Sequence, residues 1–429
     1  MKKTTQNRIT TAGAVIAVVA SIIGYNVLAP KIYTGVFPNG LVVTEPGAIV
    51  RDADVSNSKG VGLTIRAEGV VVDNVRVHDS KSHGILILAS HTTVQNSVIT
   101  NNVLGTCYPG CSGGWESGIK CQSKDGGIGL VQDVKILNNI VHDNKGEGMG
   151  LRCADVLVQG NTVYDNFSFN IYSNSWNIVI ERNFVYCTGK NLRDGFPAAG
   201  IGGQEEGFTN WPKSAHDITI RNNIVYKCKY GYRFGGAGGG VDPGLVRANI
   251  YNNTFYQAVA TEISIVYAPA QADVIIQDNI AKRIVYDGRG AASWNNVDVS
   301  MQGGLDPSLF YPAQHIAGDL NNPIDFFGTA RTLFSVGAVE WLDGGNFTVT
   351  PSLTSTVTAT RTPTATATKT KTPAPMTAPS TRTPTVTPTH ATWTPSPTKT
   401  STPAVPPTLP FDCFYNPSET LEICIRPIQ

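Results

Sequence analysis

Between Val134 and Cys187 apolar and polar residues alternate in short runs, and the same run comes three times in one register. VKILNNIVHDN (134–144), VLVQGNTVYDN (156–166) and IVIERNFVYC (178–187) place Asn139, Asn161 and Asn183 at a constant interval of 22 residues. Alternation over four to six positions is the period of a strand with one buried face, and repeats built from Val, Ile, Asn and Gly read as strand, turn, strand. Paired-helix repeats are longer and need Ala, Leu and Glu at helical spacing. Leucine-rich repeats need Leu at most framework positions, and Leu is sparse between Val134 and Val285. The pattern therefore predicts an all-β fold, a right-handed single-stranded parallel β-helix whose coils stack at about 4.8 Å. Asn139, Asn161 and Asn183 should share one turn, with their amides hydrogen-bonded from coil to coil. Asn74 and Asn96, also 22 apart, are assigned to the same column, and Asn223, Asn253 and Asn279 continue it at longer steps.

Outside this body the pattern changes. Lys2, Lys3 and Arg8 precede an uncharged stretch that runs to Lys31, so residues 1–29 read as a signal peptide or an amino-terminal membrane anchor. The β-helix domain is assigned to 30–350. From Pro351 to Pro410 the chain is Thr and Pro with almost no large apolar residue, which cannot bury a core and reads as a disordered linker. Residues 411–429 form a short Cys-containing end. Charge limits the partners: the first 29 residues carry +3, the linker +5 and the end −2 of a total of +1, leaving the body at −5. That is not the balance of a nucleic-acid-binding surface.

The eight cysteines are even in number, as expected of a secreted or cell-surface protein. Register suggests Cys121 with Cys153 and Cys187 with Cys228, because each pair falls at nearly the same turn of neighbouring coils. Cys107 with Cys111 would close one loop and Cys413 with Cys424 the tail; buried free thiols are the competing reading.

IDFFGTAR (324–331) followed by VGAVEW (336–341) resembles the closing signature of secreted bacterial right-handed β-helix proteins, D-x-x-G-x-x-R and then G-A-x-E. The Asn- and Gly-rich coils resemble the parallel β-helix repeat family of the pectin-lyase-like superfamily, over roughly Val61 to Trp341. The resemblance implies the fold and an extracellular polysaccharide, including a uronate polymer, as partner. It leaves the activity open among lyases, hydrolases, epimerases, phage tail proteins and adhesins.

In the enzymes this fold resembles, the substrate lies along the outer face of one parallel sheet. Aligned, GILIL (84–88), GIKCQ (118–122), GMGLR (148–152), NIYSN (170–174), GIGGQ (200–204) and GYRFG (231–235) point Leu86, Leu88, Lys120, Gln122, Arg152, Tyr172, Asn174, Gln204 and Arg233 outward. Lys120, Arg152, Tyr172, Asn174, Gln204 and Arg233, flanked by Glu147, Glu205 and Glu206, form a polar stripe suited to a saccharide. For β-elimination Lys120 is the candidate base and Arg152 the charge stabiliser; Glu147 with Glu205 would instead suit a hydrolase. No cofactor follows from the residues, and calcium is the ion the resemblance admits. The N-T-D, D-D and G-H-G set of polygalacturonases and the D-P-H motif of mannuronan epimerases are absent. His78 and His142 read as turn-packing residues, while His83 is expected to be exposed just before a stripe strand. The alternative to an enzyme is a non-catalytic glycan-binding or adhesion protein on a Thr/Pro stalk.

Overall fold

The computed structural model describes residues 29–57, 59–105, 115–124, 130–190, 192, 197–205, 215–236, 245–266, 273–286 and 291–301. It also describes 303–310, 312, 317–318, 322–332 and 335–340, and the backbone of 412–416 and 421–425. Among these residues there is no α-helix, and so none long and apolar enough to cross a membrane. Residues 1–28 of the predicted leader and the whole Thr/Pro linker lie outside the described residues.

Each coil contributes one strand to a ten-stranded parallel sheet and up to two to an eighteen-stranded sheet. The ten-stranded sheet runs from Leu41–Val43 through Ser117–Cys121, Glu147–Leu151, Phe169–Ser173, Ala199–Glu205 and Tyr230–Gly236 to Ile284–Tyr286. It extends the six aligned strands by two coils at each end. Its register stacks Leu63, Ile85, Ile119, Met149, Ile171, Ile201, Tyr232 and Ile263 in one inward column. All of these are buried. Inward alternation thus joins otherwise short strands, mostly three to six residues long, into one continuous core.

The corners are fixed by asparagine. Asn139, Asn161, Asn183, Asn223, Asn253, Asn279 and Asn296 form a ladder in which each side-chain amide donates to the next Oδ1 at 2.8–3.0 Å. Asn74 and Asn96 do not belong to it. They sit one position earlier, at φ 53° and 51°, where Asn tolerates the left-handed backbone of the turn. Their amides bond Asp52 and Asp73, and Ser97 N–H instead meets Asn139. A second ladder, unforeseen in the sequence reading, joins Asn102, Asn144, Asn166 and Asn170. Asn170 then donates to the sulfurs of Cys187 and Cys228, which form a disulfide.

Cys121 is bonded to Cys153 in the same way. Cys107 and Cys111 lie outside the described residues, and an antiparallel backbone pair sets Cys413 opposite Cys424. His142 stacks on Tyr164 at 4.6 Å and Tyr164 on Tyr186 at 4.5 Å, while His78 bonds Asp54 and Asp79.

The closing signature is a knot of hydrogen bonds. Asp325 accepts from Phe327 and Thr329 N–H at 2.9 Å across the turn at Gly328. Fully buried Arg331 pairs with Glu340 at 3.2 Å and donates to the carbonyls of Ile324, Ser335, Gly337 and Ala338 and to Asn222 Oδ1. Phe310 and Phe326 pack with Phe184, Ile224 and Tyr226 on the outer face of the larger sheet.

Candidate functional site

The outer row of the ten-stranded sheet reads Thr64, Leu86, Lys120, Gly150, Tyr172, Gly202, Arg233 and Ser264. Lys120, expected to face solvent, is only 4% exposed. Its Nζ lies 3.7 Å from Glu147 Oε2, and Glu147 is 3% exposed and accepts a hydrogen bond from Ser117 Oγ at 3.1 Å. Gly150 creates the space: a Cβ there would stand 2.8 Å from Lys120 Nζ and 2.6 Å from Glu147 Oε2. Two ionic side chains are therefore desolvated on the outer side of the solenoid, at a cost an apolar pair would avoid.

His83 is half-buried rather than exposed, and its Nδ1 accepts Ser117 N–H at 3.0 Å. Burial, then the nearby Lys120 charge, lowers its pKa to about 3. The imidazole is neutral at ordinary pH, with its proton on Nε2.

Beside this cluster opens a cleft of about 280 Å³, lined by Glu147, Phe169, Tyr172, Gln204, Lys229, Tyr230, Arg233 and Trp115. The Arg233 guanidinium lies over the Tyr230 ring at 4.8 Å, and Phe169 meets Tyr172 edge to face at 5.2 Å. Among its described lining residues Lys229 and Arg233 are cationic and Glu147, paired with Lys120, is acidic, so the cleft suits a polar ligand with a face that stacks on aromatic rings.

Four predicted residues, Glu147, Tyr172, Gln204 and Arg233, converge on the cleft. Lys120 lies beside it through Glu147. Arg152 is half-buried just past the strand ending at Leu151. Asn174, one residue past the end of its strand at Ser173, is fully buried and so is not open to a ligand. Glu205 closes its strand, with its side chain outside the described atoms, and Glu206 lies outside the described residues. The sequence reading missed Phe169, Lys229, Tyr230 and Ser117. Extending each aligned segment by one residue upstream would have found three of them: His83, Ser117, Glu147, Phe169, Ala199 and Tyr230 occupy one column. Among the described residues no three His, Cys, Asp or Glu side chains converge as a metal-ligand set.

A family model described as right-handed β-helix region matches residues 39–188. The fold is similar to that of pectate lyase Pel9A, at 16% identity over 73% of this chain and 87% of that one, with a TM-score of 0.51. The mannuronan C-5 epimerase AlgE6 A-module of Azotobacter vinelandii is similar at 15% identity, over 58% of this chain and 59% of the module, with a TM-score of 0.40. A search of the curated proteins finds no match.

Proposed function

We propose that this right-handed parallel β-helix of the pectin-lyase-like superfamily acts outside the cell on a polysaccharide held in the cleft beside Glu147, and that it does so as an eliminative lyase. The observation that carries the reading is the buried Lys120–Glu147 pair beside an aromatic-lined cleft that Arg233 also borders. Stability does not call for such a pair, and desolvated ionisable partners at a cleft are a mark of proton chemistry. The Cys121–Cys153 and Cys187–Cys228 disulfides fit an oxidising compartment.

Elimination from a uronate breaks the C5–H and C4–O4 bonds and forms C4=C5. In the reactive state the pair's proton passes from Lys120 to Glu147; the neutral amine then takes the C5 proton and the Glu147 carboxyl gives its proton to the leaving oxygen. Transfer from Lys120 back to Glu147 restores the pair. A fixed cation must neutralise the sugar carboxylate as charge develops, and among the described residues Arg233 lines the cleft to do so.

The test is ultraviolet absorbance of the unsaturated product when the purified chain meets pectate, alginate or glycosaminoglycans, with and without calcium. The expected result is a rise that Lys120→Met and Glu147→Gln abolish while retention on the glycan persists. Retention without product, sensitive to Arg233→Ala, would replace the lyase by the non-catalytic binder. Absence of both would remove the glycan site.

A further inference from the structure

One column of the ten-stranded sheet holds Gly62, Gly84, Gly118, Gly148, Asn170, Gly200 and Gly231 on successive coils, and then Glu262 and Arg283. The small residues are required where the column is crowded: a Cβ on Gly231 would stand 2.7 Å from the Phe255 ring. Glu262 breaks the series with a carboxylate that is 2% exposed. It accepts from Ala258 N–H at 3.1 Å and from both the backbone and the Nε of Arg283 at 3.0 and 3.1 Å. Arg283 also donates from Nη2 to the Ala258 carbonyl. A buried acid thus holds one edge of a guanidinium whose side chain remains 45% exposed.

That guanidinium borders a second cleft, of about 470 Å³, with Tyr256, Gln257, Lys282, Asp298 and Ser300 around an apolar floor that includes Phe255 and Val299. The volume falls in the range of about 300–1,000 Å³ usual for small-ligand sites. Among the described residues its charges pair off: Glu262 faces Arg283, and Lys282 Nζ lies 3.8 Å from Asp298 Oδ2. Among its described residues the first cleft sets Arg233 over the Tyr230 ring beside the Lys120–Glu147 pair. The second presents donors and an acceptor in balance over apolar surface, the pattern that hydroxyl groups on a ring satisfy and a lone anion does not.

We propose that this second cleft binds an uncharged saccharide residue, with Arg283, Lys282 and Asp298 hydrogen-bonding its hydroxyls. The inference rests on the glycan reading above and deepens it: the ligand carries neutral sugars as well as acidic ones, each with its own site. Arg283 is held in place before the ligand arrives, so little ordering is left to oppose binding.

Calorimetric titration of the full chain with xylotetraose, galactotetraose and trigalacturonate tests this. At least one neutral oligosaccharide should bind, with Kd raised about tenfold by Asp298→Ala or Lys282→Ala, the loss expected for a hydrogen bond to a charged group. Arg233→Ala should leave that Kd unchanged and weaken trigalacturonate. Arg283→Lys keeps the charge beside Glu262 but not the planar fork, so it should weaken the neutral ligand without lowering the melting temperature by more than a few degrees. The proposal is overturned if trigalacturonate binds and neither neutral ligand does, or if neutral binding ignores Asp298→Ala and Lys282→Ala. If none of the three binds, the glycan reading fails with it.

Discussion

Asn161→Ala removes one rung from the middle of the longer ladder, and its cost can be worked from the contacts. The Asn161 amide donates to Ile136 O at 2.8 Å, Gln159 O at 3.1 Å and Asn183 Oδ1 at 2.9 Å, and its Oδ1 accepts Asn139 N–H at 2.8 Å and Asn139 Nδ2 at 3.0 Å. Some partners keep a second contact. Asn139 Nδ2 still reaches Val94 O, Gln159 O still accepts from Asn138 N–H, and Asn183 Oδ1 still accepts from residue 161 N–H. The Asn139 N–H loses its acceptor inside the core, where no water replaces it. One orphaned donor costs about 1–3 kcal/mol and each lost bond about 1 kcal/mol, so the substitution should cost about 3–5 kcal/mol. Asn296→Ala is the control, because its ladder position ends the series and is partly open to solvent. Water can take over there, and about 1 kcal/mol is expected. Urea unfolding of the full chain, followed by far-ultraviolet circular dichroism, compares the two at matched slope. Equal shifts for both variants, or a loss below about 1 kcal/mol for Asn161→Ala, would refute the view that the buried ladder holds the corners.

Three further outcomes follow from the same contacts. Since the folded pKa of His83 is about 3 against an ordinary 6.5, the unfolded chain takes up a proton there that the folded chain refuses. His83 thus contributes stability fully above about pH 6.5 and loses it as pH falls towards 3; allowing for partial exposure the span is roughly 2–4 kcal/mol, and His83→Asn should flatten that part of the stability curve. Arg331→Met strands Glu340 in the core and should cost about 3–5 kcal/mol in urea unfolding, whereas Arg331→Met with Glu340→Met should cost less than Arg331→Met alone. Gly150→Ala forces a methyl against Lys120 and Glu147 and should cost about 1–3 kcal/mol; an unchanged urea midpoint would contradict the packing drawn around that pair.

The inward columns were legible because β-branched residues alternate with polar ones, and the ladder because its amides recur at one interval. Its register slipped at the start for a physical reason. Four of the seven ladder corners carry doublets, Asn138-Asn139, Asn222-Asn223, Asn252-Asn253 and Asn295-Asn296, in which the first Asn takes the left-handed turn and the second points inward to the ladder. Earlier corners keep only the first, Asn74 or Asn96, with Val75 or Ser97 at the ladder position. Asparagine meets both demands, tolerance of positive φ and amide pairing, so its letter does not say which one a position makes. The second ladder was written in the same repeats, at Asn144 and Asn166 of HDN and YDN, behind residues that looked like ordinary turn formers.

Burial of Lys120 was illegible for a related reason. Strand alternation assigns a side chain to the outer face, but it does not reveal what else lies on that face. Here the absent Cβ of Gly150, one coil along, lets Lys120 lie down towards Glu147 instead of standing into solvent. Glycine in that row is thus a packing residue for its neighbours, and the row Lys120, Gly150, Tyr172, Gly202, Arg233 alternates long side chains with gaps. A Cβ on Gly202 would stand 2.7 Å from the Phe169 ring, so the second gap seats an aromatic wall of the cleft as the first seats its ion pair. The cleft is shaped by these two missing side chains as much as by the residues that line it.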